Sequence, residues 1–291
     1  MCPPAAARAL IGHPFSNQAI DEMEAGSADA VLAHAKASLA TLCADFGINE
    51  SHGVKHAESV LNHAEQALAS DPRLAASQVL AVRLAALLHD ADDHKYFGKD
   101  SAAMLSNAKR IMEDAGAPSE SVVDALDMIN LVSCSANGNS CPDRAKDAPW
   151  LLWPRWSDRL EAAGEVGVAR CFMHNLHVGD PLFTADTPRP TTEDEAFALA
   201  TEDRFRDYQE RGGSSASMID HYFDKLLQVA RPPAALVRNS YLELAASERA
   251  APLVQVVLDF GRRGEVDVEA MEALVQRCGL GKSKRKRAAE A

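Results

Sequence analysis

The chain has 291 residues, 47% hydrophobic but only 5% aromatic, with 30 basic and 42 acidic side chains and a net charge of −12. That length can bury the core of one large domain, and that composition excludes a disordered chain. No apolar run approaches the roughly 18 residues of a membrane span, and so acidic a body excludes non-specific binding to nucleic acid.

Alanine-rich segments with apolar residues at helical spacing predict an all-α protein. Residues 1–25 show no period and read as a flexible N-terminal arm, with no apolar core of the kind a secretory signal needs. A helix is expected over about 29–46, closed by Gly47, and a second from Ser51 to near Ser70. The third, about 75–92, is apolar nearly all round and should lie at the centre, with Tyr96-Phe97-Gly98 breaking it. Helices follow at about 101–115 and 119–133, then a loop over 134–147. Pro149 opens a helix that runs, past Gly164 and Gly167, to about 175. The proline-rich stretch 179–192 reads as an extended loop or lid, in which Arg189 could close over a substrate. Three long helices are expected at about 193–211, 218–230 and 234–263, and a short one at 266–278. The helical domain therefore spans 26–278, and 279–291 form a basic disordered tail with five of its last ten residues basic. The tail reads as a solvated terminus or a nuclear localisation signal. Six cysteines without Cys-x-x-Cys spacing point to reduced thiols inside a cell, cytoplasmic or nuclear.

The third helix ends in His89-Asp90-Ala91-Asp92-Asp93-His94-Lys95. Burying an unpaired carboxylate or imidazole costs several kcal/mol, which a bound cation would offset; a helix end reaching solvent would need no such compensation. Continued helix puts His89, Asp90 and Asp93 on one face, at the end where the helix dipole favours a cation. Upstream, His52 and His56 are four apart, and His56 shares a stripe with Val60 and His63. Downstream, Asp158 sits in the aromatic segment Trp153–Ala162, where Arg155 or Arg159 could pair with it.

In order, His56, His89-Asp90 and Asp158 resemble the HD-domain superfamily of metal-dependent phosphohydrolases. The resemblance extends to Ala-Leu-Leu-His-Asp at the pair, to Asp-Arg-Leu-Glu-Ala-x-Gly-x-x-Gly-x-Ala-Arg from Asp158, and to Asp220-His221-Tyr222-Phe223-Asp224-Lys225-Leu226-Leu227, and covers about residues 50–260. These motifs look like those of a bacterial subgroup of HD hydrolases. The resemblance implies an all-α HD-domain helical bundle with a C-terminal helical extension. It also implies one divalent transition metal (Mn, Fe, Co, Ni or Zn, with Mg less suited) held by His56, His89, Asp90 and Asp158. Dinuclear relatives, iron oxygenases among them, use additional histidines between the pair and the last Asp. Here no His occurs between Lys95 and Met173, although Asp127 or Cys134 could substitute.

The expected activity is hydrolysis of a nucleotide or other small phosphate ester. Asp93 is the expected general acid/base, at a position where the hydrolase domain of the (p)ppGpp enzymes carries an acidic residue. Lys95 and Arg159 would clamp the phosphate, His94 would donate a hydrogen bond, and His52 would line the mouth. Lys55, Arg170 and Lys225 are weaker candidates for the same grip. The rival functions are a degenerate HD domain used for ligand sensing or interaction, and an HD-type iron oxygenase.

Overall fold

The structure is a computed structural model that describes residues 17–48 and 52–280. The expectations for the first 16 residues, for Ser51 and for the basic tail from 281 onward lie outside the described residues. The fold is all-α, with no strand among the described residues. Among the described residues no helix is long and apolar enough to cross a membrane.

The first six helices are α1 (Asn17–Asp45), α2 (Val54–Ser70), α3 (Ala76–Leu88), α4 (His94–Met104), α5 (Ser106–Asp114) and α6 (Ser119–Val132). Short turns α7 (Cys134–Asn137) and α8 (Asp143–Asp147) and a 3₁₀ turn at Pro149–Leu152 lead into α9 (Trp153–Glu161) and α10 (Gly164–Val178). Then come α11 (Glu193–Leu199), α12 (Glu202–Glu210), α13 (Met218–His221), a π turn (Tyr222–Leu226), α14 (Leu227–Ala230), α15 (Ala234–Val237), α16 (Ser240–Arg263) and α17 (Val268–Arg277).

The expected central helix is central: α3 packs against α1, α2, α6 and α9, and every residue from Leu84 to Leu88 is buried. Each buried leucine there contributes about 1.5–3 kcal/mol relative to exposure. The C-terminal helices form a second apolar cluster around Phe172, Phe223, Leu253 and Phe260. Helix α16 joins the two, with Leu242 and Ala246 in the first and Ala250 to Phe260 in the second.

The structure corrects several boundaries. Residues 17–25, expected in the arm, belong to α1. The expected loop over 134–147 contains two short helical turns. The helix expected over 193–211 is broken before Thr201, whose hydroxyl caps α12 by accepting from Arg204 N. That over 234–263 is broken at Asn239, which caps α16 by accepting from Leu242 N. Such polar side chains compete for backbone amides and start a helix wherever they win. The 179–192 stretch does not lie over the polar cluster: Arg189 donates to the Gly261 and Arg262 carbonyls at the far end of α16.

The most informative correction concerns α3, which stops at Leu88 rather than continuing to 92. Asp92 is buried and accepts from Ser101 Oγ (2.7 Å), Asn107 N (2.9 Å) and Ala108 N (2.9 Å). It thereby satisfies first-turn amides of α5, whose own N-cap, Leu105, is in a left-handed conformation and offers no side-chain acceptor. Asp93 in turn caps α4, its Oδ1 accepting from Lys95 N at 2.9 Å. We expect Asp92→Ala to destabilise the fold by about 2–4 kcal/mol, because it strands two amides and a hydroxyl in the interior. Urea unfolding measures this, and a loss below about 1 kcal/mol would remove Asp92 from that role.

Candidate metal centre

Four side chains from three places in the chain converge on one point. His56 lies in the first turn of α2, His89 and Asp90 follow the last residue of α3, and Asp158 lies in α9. Helix α3, buried throughout Leu84 to Leu88, delivers the polar residues that follow it to the edge of the core, and Pro154 sets the start of α9.

The two imidazoles meet through their Nε2 atoms, 3.1 Å apart. Asp158 Oδ1 lies 3.3 Å from His56 Nε2 and 3.5 Å from His89 Nε2. Asp90 Oδ2 lies 3.7 Å and 3.4 Å from the same two atoms. The Nδ1 of His89 donates to the Ala86 carbonyl at 2.9 Å, which leaves its Nε2 lone pair for the cluster. This is how ligating histidines are oriented by their outer partners. Two neutral imidazoles and two carboxylates bring a divalent cation to net zero charge, so the donor set fits such an ion.

A second triad shares Asp90: ligand atoms of His52, Asp90 and Asp93 lie within 4.8 Å of one another. Here Lys95 already supplies positive charge, with Nζ 3.4 Å from His52 Nε2 and 3.8 Å from Asp93 Oδ2. His52 completes a relay, its Nε2 accepting from Lys95 and its Nδ1 donating to Asp90 Oδ2 at 3.0 Å. It positions the carboxylate as well as lining the mouth. His94 is exposed, its Nδ1 3.4 Å from Asp93 Oδ1.

All nine sequence-predicted site residues line one open cavity of about 610 Å³. Arg159, however, is not free to clamp a phosphate. It is buried against the Trp156 ring, and its terminal nitrogens donate to Asn139 Oδ1 and the Gly138 carbonyl. Arg155 is likewise spent on the Leu131 and Ser140 carbonyls, at 2.6 and 2.7 Å. Neither arginine pairs with Asp158. The two latch the 138–140 loop onto α9, a role for which the sequence offers only the Asn-Gly-Asn turn as a signal. Asp127 pairs with Arg144 outside the cavity, whereas Cys134 lines it together with Asn130 and Ser133. Of the two residues named as possible substitutes for the additional histidines, only Cys134 therefore faces the cavity. His63 is structural, bonded to Tyr241 Oη at 2.6 Å beside Glu161 and Arg249.

Burial opposes charge on His89, but Asp90 and Asp158 outweigh it and hold its pKa well above the ordinary 6.5. Burial would raise both carboxylates, yet His89 and His52 hold Asp90 well below the ordinary 3.8, and His56 and His89 do the same for Asp158. The raised histidine stabilises the metal-free chain fully below about pH 6.5, and that contribution is lost as pH rises through its folded pKa. The lowered carboxylates stabilise above about pH 3.8, and their contribution is lost as pH falls through their folded values. Chelated protein should therefore melt highest between about pH 4 and 6.5 and lose stability above that window. A divalent ion held by the cluster would replace the proton on the histidine, so Mn²⁺ should abolish the alkaline loss. Thermal melts at pH 5.5 and 8.5, with chelator and with Mn²⁺, measure both effects; equal chelated midpoints would contradict them.

No protein-family model matches the chain. It is 36% identical over 221 residues to the uncharacterized protein L803 of Acanthamoeba polyphaga mimivirus, a match covering 72% of this chain and 88% of that protein. Its fold is similar to that of a Lactobacillus plantarum protein solved by crystallography (TM-score 0.53, 20% identity, 82% of this chain and 97% of that one). The Lin1889 protein of Listeria innocua is similar in the same way (TM-score 0.50, 16% identity, 83% and 97%). At these identities the likeness to the two solved structures is one of fold.

Proposed function

We propose that this chain, which belongs to one family with the mimivirus protein L803, is a metal-dependent phosphohydrolase acting on a nucleotide or another small phosphate ester. The observation that carries the reading is the convergence of the His56 and His89 Nε2 atoms with the Asp90 and Asp158 carboxylates in one open cavity. Mixed nitrogen and oxygen donors suit Mn²⁺, Fe²⁺, Co²⁺, Ni²⁺ or Zn²⁺ better than Mg²⁺. Such an ion lowers the pKa of water and polarises a phosphoryl oxygen.

The chain's own groups do the rest. Asp93 uses Oδ1 to cap α4, so its Oδ2 is the oxygen that accepts a proton from the attacking water. Lys95, extending from the first turn of α4, places its ammonium against the phosphoryl oxygens, and His94 adds a donor at the rim. His52 holds Asp90 in position through the 3.0 Å bond. With Arg159 committed to the 138–140 loop, the cationic grip on the reacting phosphate falls to Lys95. The complete donor set favours an enzyme over a degenerate sensor, and walls of Asn130, Ser133 and Cys134 in place of further histidines favour hydrolysis over oxygenase chemistry. Five unpaired cysteines among the described residues accord with an intracellular site of action, cytoplasmic or nuclear.

A panel of phosphorylated metabolites, run with Mn²⁺, Co²⁺ and Mg²⁺ on the wild type and on Asp90→Ala, tests the proposal. Turnover is expected only in the wild type, and equal turnover in both proteins would sink it. Reconstituted protein is expected to hold about one equivalent of metal. Less than about a tenth would overturn both metalloenzyme readings, and about two irons per chain would favour the oxygenase.

A further inference from the structure

The cavity over the four donors opens beside a second one of about 750 Å³, and five residues line both: His52, Lys95, Ala162, Arg170 and Lys225. Three of the five are cations, in a chain with 42 acidic residues. Most basic side chains in such a protein find a carboxylate. Yet among the described residues Arg170 and Lys225 have none within ion-pair distance. Arg170 reaches only the Glu161 carbonyl, at 3.5 Å, and Lys225 Nζ lies 5.7 Å from the centre of the Tyr208 ring. Both are half-buried, where a charge without a counter-ion is costly.

The backbone fixes both in place. A Cβ at Gly167 would lie 2.4 Å from the Ala162 carbonyl oxygen, so only glycine lets α10 approach α9 this closely. Arg170 follows three residues later, on the same face. Lys225 sits within the π turn Tyr222–Leu226, a distortion that costs helix geometry and occurs often at functional sites.

The second cavity continues past these cations to Tyr208, His221, Ser215, Met173 and Met218. Burial, with Lys225 and His174 nearby, pushes the His221 imidazole down to about 3, so it stays neutral, with Nδ1 3.3 Å from Ser215 Oγ. Apart from the exposed Asp180, the groups past the cations are neutral polar or apolar, and together they suit an uncharged organic body rather than another anion.

We propose that Arg170 and Lys225 form a second oxyanion subsite. The substrate then carries, beyond the phosphoryl group over the four donors, a second phosphoryl or carboxylate group at this pair, with its organic part against Tyr208 and His221. The substrate assignment rests on the hydrolase reading; the subsite itself does not. Arg170 offers the bidentate fork that matches either oxyanion, and Lys225 the point charge beside it.

Calorimetric titration of the full chain, loaded with Mn²⁺, with phosphate, pyrophosphate and phosphonoacetate tests this. The wild type is expected to bind at least one of the two-anion probes about tenfold or more tightly than phosphate, and the tighter of them identifies the second group. Arg170→Gln and Lys225→Gln should each weaken that probe about tenfold, the double variant should erase its advantage over phosphate, and Arg170→Lys with Lys225→Arg should restore part of it. Thermal midpoints of each variant report folding. No advantage in the wild type, or an advantage that survives in the folded double variant, overturns the subsite. Were the protein to hold no metal and turn over no ester, the hydrolase reading would fall, while charge-dependent binding of these probes would still uphold the pair. Turnover with no effect of the double variant on probe binding would leave the hydrolase standing and overturn the subsite.

Discussion

Asp93→Asn is expected to lower kcat for phosphate-ester hydrolysis by about 10²- to 10⁴-fold while leaving the metal content unchanged. The substitution is selective because the two carboxylate oxygens have separate tasks. Oδ1 caps α4 through Lys95 N, and asparagine caps a helix as well as aspartate does. Oδ2 faces His52 Nδ1 and Lys95 Nζ, each at 3.8 Å, and an amide there cannot accept a proton. The side chain is only 9% exposed, so solvent does not readily take over the transfer. KM should move little, since the residue acts on the attacking water rather than on the bound ester. Steady-state kinetics beside metal analysis of the same preparation decide the matter. A fall of less than about tenfold would place the proton-accepting group elsewhere.

Asp158→Asn is expected to weaken divalent-metal affinity by more than about 100-fold, the upper end for losing a mere outer-shell partner. Asp158 Oδ1 stands 3.3 and 3.5 Å from the two imidazole nitrogens, and without its charge a dication in the cluster carries a net positive charge. The change is nearly isosteric, and the arginines on the same helix are bonded to the 138–140 loop rather than to Asp158, so α9 should persist. A competition titration with a chromogenic chelator reads the affinity, and near-wild-type binding would exclude Asp158 as a ligand. At limiting metal the variant's hydrolysis should fall in parallel.

The central helix and its apolar character were legible because helical periodicity is a local property of the sequence, whereas the grouping of His56, His89, Asp90 and Asp158 was expected only from the resemblance to the HD-domain superfamily, since nothing local joins three stretches so far apart in the chain. Asp93 was legible as a site residue for a partly wrong reason. An unbroken helix through residue 92 puts it on the face of His89, whereas it reaches the cavity as the cap of a new helix. What breaks the helix is Asp92 reaching amides 15 and 16 residues away, a tertiary contact that no local pattern contains. Arg159 misled for the opposite reason. Its neighbour Asp158 faces the cluster, but residues adjacent on a helix point in different directions. Its guanidinium therefore met the loop from α7 instead of a phosphate. Arg170 and Lys225 were named only as weaker candidates, because what sets them apart, the lack of a carboxylate within ion-pair distance among the described residues, exists only once the chain has folded.

Asp90, Asp92 and Asp93 serve three different structures within four residues: the ligand cluster, the start of α5 and the start of α4. Substitutions at Ala91, buried between them, are limited by size and polarity. Length is a harder constraint. One residue gained or lost would shift two helix starts relative to a cluster that cannot follow, so this segment should be closed to insertion and deletion over evolutionary time. Length variation in the family is expected instead in the solvent-facing connection between α12 and α13, where no side chain is counted from Asp90.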